Sequence, residues 1–278
     1  MINLSLVLSD VRRTLEEDIG SGDVSAGLLA AHLEAEAEII SREPMLVCGI
    51  PWVEAAFHEI DSSIELSWLV KEGEWLDQAT TLCLIRGQAK SILMAERSAL
   101  NFLQTLAATA TQTRRYVNEL QGTKARLLDT RKTIPGLRYA QKYAVVCGGG
   151  VNHRMGLYDA FLIKENHIKA CGSITNAING ARKAHTNLLV EVEVESIEEL
   201  QEALQAKPDR ILLDNFTHAL LKEAVNLNLP KQCDLEASGG ITLANIKAVA
   251  ETGVDYISVG SITKSIQAID LSLLIRTC

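Results

Sequence analysis

Residues 188–194 read LLVEVEV and residues 210–215 read RILLDN, two short apolar runs with a helical pattern between them. Runs of the same kind recur from residue 125 onward: ARLLDT (125–130), AFLIKEN (160–166), CDLEASGG (233–240) and YISVGS (256–261). Helical patterns separate them, over Ile174–His185, Ile197–Ala206, Ala219–Val225 and Leu243–Thr252. Strands that alternate with helices are typical of βα units with parallel strands. Six clear strands rather than eight predict an α/β fold with an irregular or open barrel.

The predicted strands finish with polar residues or with glycine. These ends are Asp129, Lys164, Glu193, Asp214, Ser238–Gly240 and Gly260–Ser261. Since the carboxyl ends of barrel strands meet at one face, we expect a ring of chemical groups around one mouth. The two glycine-containing ends favour a phosphate site, because glycine lets backbone N–H groups approach and a following helix N-terminus adds a dipole.

The segment from Asp129 to His167, DTRKTIPGLRYAQKYAVVCGGGVNHRMGLYDAFLIKENH, reverses the charge of an acidic chain. Nine basic and three acidic residues lie between positions 124 and 169, whereas the whole chain has a net charge of −8. Proline and glycine interrupt these charges, so we expect no continuous helix face that displays them. The segment predicts the wall of an anion-binding pocket. Its members are Arg131, Lys132, Arg138, His153, Arg154 and Lys164.

Glu191, Glu193 and Glu195 alternate along one run, so their side chains point to the same side of a strand. An interior row of carboxylates is costly unless it is paired with basic residues or holds a cation. Glu195 is expected to lie in solvent. Glu193 together with Asp214 favours a substrate that is anionic at its ends and develops positive charge between them, and both residues suit Mg²⁺.

Two side chains keep alternative roles. Lys164 belongs either to the anion-binding wall or to a Schiff-base mechanism, which the acids Glu165 and Glu193 disfavour. His153 either contacts a ligand or fixes its loop through hydrogen bonds. His167 is interpreted as a helix cap or a group behind the site.

The N-terminal part has a different rhythm. Helical spacing predicts a helix over residues 6–17, and strict alternation over residues 33–39 predicts a half-buried strand. Strands over 64–70 and 81–85 and a helix over 51–60, with Pro51 in its first turn, complete a small α+β sandwich. We expect this domain over residues 1–110 and the barrel over residues 111–265. The tail, residues 266–278, is expected to pack back on the first domain.

A long apolar helix is predicted over residues 92–108. It carries Glu96 and Arg97 as neighbours. Either these two form an internal pair within a buried connecting helix, or Arg97 projects into a neighbouring site. The periodicity does not choose between them.

Composition narrows the class of protein. An apolar content of 47% and a charged content of 22% fit a soluble globular protein, and the acidic balance argues against a general nucleic-acid binder. Six cysteines without a CxxC motif predict free thiols in a reducing cytoplasm, with Cys147 interpreted as packing rather than as a nucleophile. We expect no signal peptide and no membrane span.

Several strings, in this order, resemble the quinolinate phosphoribosyltransferase family. They are TRKTIPGLR (130–138), KYAVVCGGGVNHRMGLYDAFLIKENHI (142–168), VEVEV (190–194), ILLDN (211–215), EASGGI (236–241) and DYISVGS (255–261). EDIGSGDVS (17–25) and AERSALNFL (95–103) resemble the family's N-terminal signatures. The likeness extends over essentially the whole chain. Departures from the family pattern are Ser25, Ile134 and Val146.

This resemblance implies a magnesium-dependent enzyme of NAD synthesis. It would join quinolinate to 5-phosphoribosyl 1-pyrophosphate and release pyrophosphate and CO₂ to give nicotinate mononucleotide. The family fold is an N-terminal open sandwich followed by an irregular α/β barrel. Subunits of the family pair head to tail, so Arg97 of one chain would complete the site of a second copy in a homodimer.

The resemblance also implies a role for each matching residue. Lys132, Lys164, Glu193 and Asp214 would be catalytic, and Glu193 and Asp214 would hold Mg²⁺. The same four residues would bind substrate together with Arg97, Thr130, Arg131, His153, Arg154, Ser238, Gly239, Gly240, Ser258, Val259 and Gly260.

Two other functions stay open on the sequence. One is a phosphoribosyltransferase of the same fold that uses another acceptor, such as nicotinate. The other is a non-catalytic protein that binds phosphorylated metabolites, which the complete set of acids and bases disfavours.

Overall fold

The computed structural model describes residues 2–30 and 32–277 of the chain, which form two compact units. The first unit contains the residues up to Arg114, Ile134–Gly149 and the residues from Ser265 onward. The second contains Arg115–Thr133 and Gly150–Lys264. Residues 134–149, which are predicted to belong to the barrel, thus pack in the first unit.

The first unit is built on a four-stranded antiparallel sheet with the order β12-β1-β5-β3. These strands are β1 (Glu34–Ser41), β3 (Glu65–Trp68), β5 (Thr80–Gln88) and β12 (Leu271–Thr277). Alternation buries Ala35, Ala37 and Ile39 of β1, as the sequence predicts. β12 pairs with β1, so the tail joins this sheet. Two shorter strands, β2 (Met45–Leu46) and β4 (Trp75–Leu76), form a separate pair.

Helices of the first unit are α1 (Leu4–Ile19), α2 (Ile50–Ile60) and α4 (Arg138–Cys147), and α3 (Ala89–Glu119) begins in this unit. α2 starts after Gly49, which has φ +120°. The Glu72 carboxylate accepts the N–H groups of Gly49 at 2.9 Å and Ile50 at 3.1 Å, and so satisfies the first donors of the helix.

Helix α4 corrects the prediction that no continuous helix face displays the charges of the basic segment, because it carries both Arg138 and Lys142. Pro135 and Gly136 precede the helix and Gly148 follows it, so these residues mark its two ends. α4 carries Arg138 and Lys142 into the first unit, where Lys142 is fully buried.

The second unit is a six-stranded parallel sheet with the order β6-β11-β10-β9-β8-β7. Its strands are β6 (Arg126–Leu128), β7 (Ala160–Ile163), β8 (Leu189–Val194), β9 (Arg210–Asp214), β10 (Asp234–Ser238) and β11 (Tyr256–Ser258). Within the described residues β6 and β7 do not pair with each other, and Val151 bridges to Leu128 beside the gap. The predicted open α/β barrel is confirmed.

Helices connect these strands. They are α5 (Glu165–Cys171), α6 (Ile174–Ala184), α7 (Ile197–Ala206), α8 (His218–Leu227), α9 (Ile246–Ala250) and α10 (Ser261–Lys264). Ser173, Ser196 and Thr217 each accept a backbone N–H from the first turn of the helix that follows. In residues 2–30 and 32–277 no helix combines the length and the apolar character that a membrane crossing needs.

The cysteines are free thiols at the five described positions, Cys48, Cys83, Cys147, Cys171 and Cys233. Cys278 lies outside the described residues. The prediction of unpaired cysteines is therefore confirmed for those five.

Candidate active site

A cavity of about 280 Å³ lies at the carboxyl ends of the parallel strands, inside the second unit. Predicted site residues that line it are Thr130, Arg131, Lys132, His153, Arg154, Lys164, Glu193, Asp214, Ser238 and Ser258. The ring of strand ends inferred from the sequence is therefore a real concave site. Arg138 is not among the lining residues, because α4 carries it into the other unit.

One side of the cavity is cationic. Arg131 and Arg154 both face it, and the buried Nε of Arg131 has no hydrogen-bond partner among the residues that the structure describes. Burial, and then the neighbouring Arg131 guanidinium, lowers the pKa of Arg154. Two guanidinium groups that repel each other and retain an unused donor form a site that an anion would stabilise.

The carboxylates of Asp129 and Asp159 hold this cationic side in place. Asp129 is fully buried and accepts the backbone N–H of His153 at 2.9 Å. Asp159 accepts the N–H groups of Met155 at 2.7 Å and Gly156 at 3.0 Å, which closes the loop after Arg154. The loop is thus fixed before any ligand arrives.

Acidic residues also line the cavity. Lys164 donates a hydrogen bond from Nζ to Glu193, so the structure gives the Schiff-base alternative no support. Carboxylate oxygens of Glu193, Glu195 and Asp214 lie within 4.8 Å of one another, and Glu195 is exposed as expected. Burial, and then the Glu193 charge, raises the pKa of Asp214. Clustered oxygen donors of this kind fit a hard divalent cation such as Mg²⁺.

His153 stands between the two sides. Its Nδ1 accepts the backbone N–H of Arg154 at 2.7 Å, and its Nε2 lies 3.0 Å from Glu191 and 3.6 Å from Glu236. Both ring nitrogens therefore face protein groups, which supports the structural alternative for this histidine. His167 accepts the backbone N–H of Lys164 at 3.0 Å and caps α5, as predicted.

Sequence reasoning missed a second layer beneath the strand ends. Leu162, Leu212 and Glu236 also line the cavity. Each lies two residues before a predicted strand-end residue, so the two-residue period of a strand could have found them. Glu191, which the sequence already singles out in its row of alternating carboxylates, belongs to the same layer and is fully buried.

This second layer holds two buried carboxylates and one guanidinium. Arg210 Nη1 lies 3.2 Å from Glu236 and 4.0 Å from Glu191, and its guanidinium stacks 4.1 Å above the ring of Tyr256. Burial, and then the Glu191 charge, raises the pKa of Glu236 to about 8. Because Glu236 lies 3.6 Å from His153 Nε2, its protonation changes the charge beside this histidine.

At the glycine-containing strand ends, neighbouring side chains lie close to the glycine backbone. Gly239 has φ +95°, and a Cβ there would lie 2.1 Å from Asn215 Oδ1. At Gly260 a Cβ would lie 3.1 Å from Lys132 Cδ. The lining residues of the cavity do not include the predicted members Gly239, Gly240, Val259 and Gly260.

A helix directly follows one of the two glycine-containing ends. α10 begins at Ser261, next to Gly260, although it has only four residues, whereas α9 begins only at Ile246. At Gly239 and Gly240 the backbone N–H groups of the loop, rather than a helix N-terminus, are therefore what the chain offers to an anion.

Arg97 lies on α3 in the first unit and is not among the residues that line the cavity of the second unit. Its side chain is 58% exposed and its guanidinium lies 3.8 Å from Glu96. An exposed pair at that distance contributes little to stability. The alternative of an internal Glu96–Arg97 pair within a buried helix is therefore weakened. That Arg97 completes the site of a second copy remains a prediction.

An open α/β barrel with a cationic wall, clustered carboxylates and glycine-containing strand ends defines a class of enzymes that act on phosphorylated, carboxylated small molecules. Residues 109–274 match the family described as "Quinolinate phosphoribosyl transferase, C-terminal domain", and residues 23–107 match its N-terminal domain. The chain belongs to the quinolinate phosphoribosyltransferase family.

Named relatives match this chain over nearly all of its length. The chain is 40% identical over 258 residues to a probable nicotinate-nucleotide pyrophosphorylase (carboxylating) of Bacillus subtilis, covering 92% of this chain and 89% of that protein. It is 39% identical to the enzyme of that name from Mycobacterium leprae, with 95% of each covered. It is similar to the solved nicotinate-nucleotide pyrophosphorylase of Francisella tularensis, with a TM-score of 0.95, 45% identity, and 99% of this chain and 98% of that chain covered.

Proposed function

We propose that this protein transfers the phosphoribosyl group of 5-phosphoribosyl 1-pyrophosphate to quinolinate with loss of CO₂, a step of de novo NAD synthesis. The products are nicotinate mononucleotide and pyrophosphate. The observation that carries this proposal is a cavity that is lined both by the basic residues of the cationic wall and by clustered carboxylates. Both substrates are anionic at their ends, and the ribose develops positive charge in between.

The cationic wall orients the acceptor. Arg131 and Arg154 bind the two carboxylates of quinolinate and aim its ring nitrogen at C1 of the ribose, and Lys132 adds a third positive charge. Thr130 accepts the Lys132 backbone N–H at 3.0 Å, which fixes the strand end that carries this lysine. Such positioning lowers the barrier without covalent catalysis.

The acidic side stabilises the sugar. Glu193 and Asp214 lie where the ribose is expected, and their negative charge stabilises its developing positive charge. Lys164 holds Glu193 in this orientation through its hydrogen bond. Mg²⁺ held by Glu193 and Asp214 would neutralise the departing pyrophosphate. Ser238 to Gly240 and Ser258 to Gly260 bind the 5-phosphate; Ser238 and Ser258 line the cavity, whereas the N–H of Val259 donates to Leu128 O at 3.0 Å and is not available as a donor.

Decarboxylation follows from the new bond. Once the ring nitrogen carries the ribose, it is positively charged and stabilises the electron pair that the breaking bond to the 2-carboxylate leaves on the neighbouring ring carbon. CO₂ leaves, and a proton replaces it on the ring carbon. The arginines support this step by holding the remaining carboxylate in place.

We also propose that the protein works in the cytoplasm as a homodimer with shared sites. Arg97 supports this because its guanidinium is exposed and lies in the unit that does not contain the cavity. No nucleic-acid partner is expected for a chain with a net charge of −8.

The decisive experiment offers 5-phosphoribosyl 1-pyrophosphate and Mg²⁺ with either quinolinate or nicotinate. Formation of nicotinate mononucleotide and ¹³CO₂ from carboxyl-labelled quinolinate is the expected result. Turnover of nicotinate alone would assign the protein to a different acceptor. Binding of both quinolinate and the phosphoribosyl donor without release of pyrophosphate would indicate a non-catalytic protein.

Lys164→Ala tests the site assignment, with Lys169→Ala as its matched control. Lys169 is an exposed lysine on α5 that pairs with Glu165. We expect Lys164→Ala to lose at least two orders of magnitude in turnover, as removal of a preorganised charge does, about 3 kcal/mol or more. Near-native rates for Lys164→Ala would remove it from the site.

A further inference from the structure

Two cysteines of the first unit lie side by side outside the candidate active site. Cys48 precedes α2 and is fully buried, whereas Cys147 is the last residue of α4 and is partly exposed. Their sulfur atoms and a carboxylate oxygen of Glu72 all lie within 4.8 Å of one another. The pair joins residues that are 99 positions apart in the chain (147 − 48).

The two thiols differ in the way that a reactive thiol and a resolving thiol differ. Hydrogen bonding with the Cys48 thiol lowers the pKa of Cys147 and outweighs burial and the Glu72 charge, which raise it; the charge of Arg114 lowers it further. Burial raises the pKa of Cys48 well above its usual value. The more accessible sulfur is thus the better nucleophile, and the buried sulfur keeps its proton beside it.

The other described cysteines lack this arrangement. Burial raises the pKa values of Cys83 and Cys233 to about 12. Cys171 is exposed, and no described cysteine is grouped with it. Among the described thiols, Cys147 therefore combines partial exposure with a neighbouring thiol, that of Cys48.

We propose that Cys48 and Cys147 form an oxidisable dithiol that a hydroperoxide closes to a disulfide. The Cys147 thiolate attacks the O–O bond, forms an S–O bond and releases hydroxide or alkoxide, which takes up a proton. The Cys48 sulfur then attacks the resulting sulfenic acid. An S–S bond forms, the S–O bond breaks, and water leaves with the Cys48 proton. Two thiols are oxidised as one hydroperoxide is reduced.

Closure has a consequence for the chain that follows. Glu72 anchors the Cys48 side through the N–H of Gly49, so the sulfur of Cys147 must make most of the approach. Next to Cys147, Gly148 is packed so closely that a Cβ would lie 2.6 Å from Ala110 O, so a shift of Cys147 is passed along the backbone. That backbone leads within seven residues to Arg154 of the cavity wall (154 − 147). Oxidation is expected to lower activity reversibly.

Treatment of the full chain with hydrogen peroxide, followed by alkylation and peptide mapping without reductant, tests the proposal. We expect a linked Cys48–Cys147 peptide and a fall of two in the count of the six thiols, both reversed by dithiothreitol. Cys171→Ser should behave like the native chain. Cys48→Ser should leave a sulfenic acid at Cys147, and Cys147→Ser should give neither product. An unchanged thiol count, or a linkage between other cysteines, overturns the proposal.

Activity supplies the second readout. The oxidised native chain should lose most of its turnover and regain it with dithiothreitol, whereas Cys147→Ser should keep its turnover under peroxide. A linked peptide with unchanged turnover would overturn the coupling to the cavity wall. Peptide mapping needs no substrate, so a failure of the proposed reaction would be distinguished from a failure of the thiol pair.

Discussion

Glu236 carries a fully buried carboxyl group beside that of Glu191. Burial, and then the Glu191 charge, raises its pKa from 4.5 to about 8, so the folded protein holds a proton that the unfolded chain releases. Ionisation of this carboxyl group costs more free energy in the folded protein than in the unfolded chain. The free energy of unfolding therefore falls as the pH rises from about 4.5 through about 8. Stability should therefore decline across this range.

Glu236→Gln tests this dependence, because glutamine keeps the shape and removes the titration. We expect the melting temperature of the native chain to fall from about pH 5 to about pH 9 and that of Glu236→Gln to fall clearly less. Glu251→Gln, at an exposed position in the same unit, is the control. Parallel melting curves for the native chain and Glu236→Gln would contradict the raised pKa.

Gly239 has two reasons to be glycine. Its φ is +95°, and a Cβ would lie 2.1 Å from Asn215 Oδ1 and 3.0 Å from the Asn215 backbone N. Gly239→Ala should lower the free energy of unfolding by about 1–3 kcal/mol, measured by urea unfolding. Gly240 has φ +60° and no neighbour within 4 Å of a Cβ, so Gly240→Ala should cost less. Equal costs would show that the contact with Asn215 is unimportant.

At the scale of elements, polar caps fix where the barrel strands end. Ser196 accepts the N–H of Glu199 at 3.2 Å, and the Glu199 carboxylate accepts the N–H of Glu195 at 2.8 Å. This reciprocal cap closes the start of α7 directly after β8, the strand that presents Glu193. The position of a site carboxylate is thus linked to a helix cap.

Ser196→Ala should lower the free energy of unfolding by about 1 kcal/mol, since it leaves a first-turn N–H of α7 without its acceptor. Ser196→Asp should retain most of the stability, because its carboxylate also accepts that N–H. Urea unfolding of the three chains measures the difference. An unchanged free energy of unfolding in Ser196→Ala would show that water replaces the Ser196 hydroxyl as the acceptor without loss of stability.

Helix α4 shows how an element redistributes residues that are neighbours in sequence. Pro135 and Gly136 precede this ten-residue helix and Gly148 follows it, so the helix separates the part of the basic segment before it from the part after it. Arg131 and Arg154 remain at the cavity, whereas Arg138 and Lys142 lie in the other unit. Local charge density therefore overstated the anion-binding wall.

At the scale of the whole molecule, the proposed homodimer can be tested by mixing two inactive chains. Arg97→Ala and Lys164→Ala should each be nearly inactive alone. Denaturing and refolding them together should restore part of the native turnover, because a mixed dimer holds one site in which both residues are native. Lys90→Ala, at an exposed position on the same helix as Arg97, should stay active.

A solution mass measurement accompanies the mixing experiment. A monomeric mass with full activity would exclude sites completed by a second copy. A dimeric mass without recovery of turnover after mixing would place Arg97 and Lys164 in the same chain's site, or Arg97 outside the site altogether.

The amino-acid sequence by itself determined the six parallel strands, their order of appearance and most strand-end residues of the site. Short apolar runs and turn signals depend only on residues that are neighbours in the chain, so the sequence records them directly. It also determined the family, through strings such as NHRMGLYDAFLIKENH. Only the tertiary structure decided which basic residues reach the cavity, that Glu191 and Glu236 meet beneath it, and that Cys48 lies beside Cys147. Those contacts join residues far apart in the chain, so their energies depend on packing that no local pattern records.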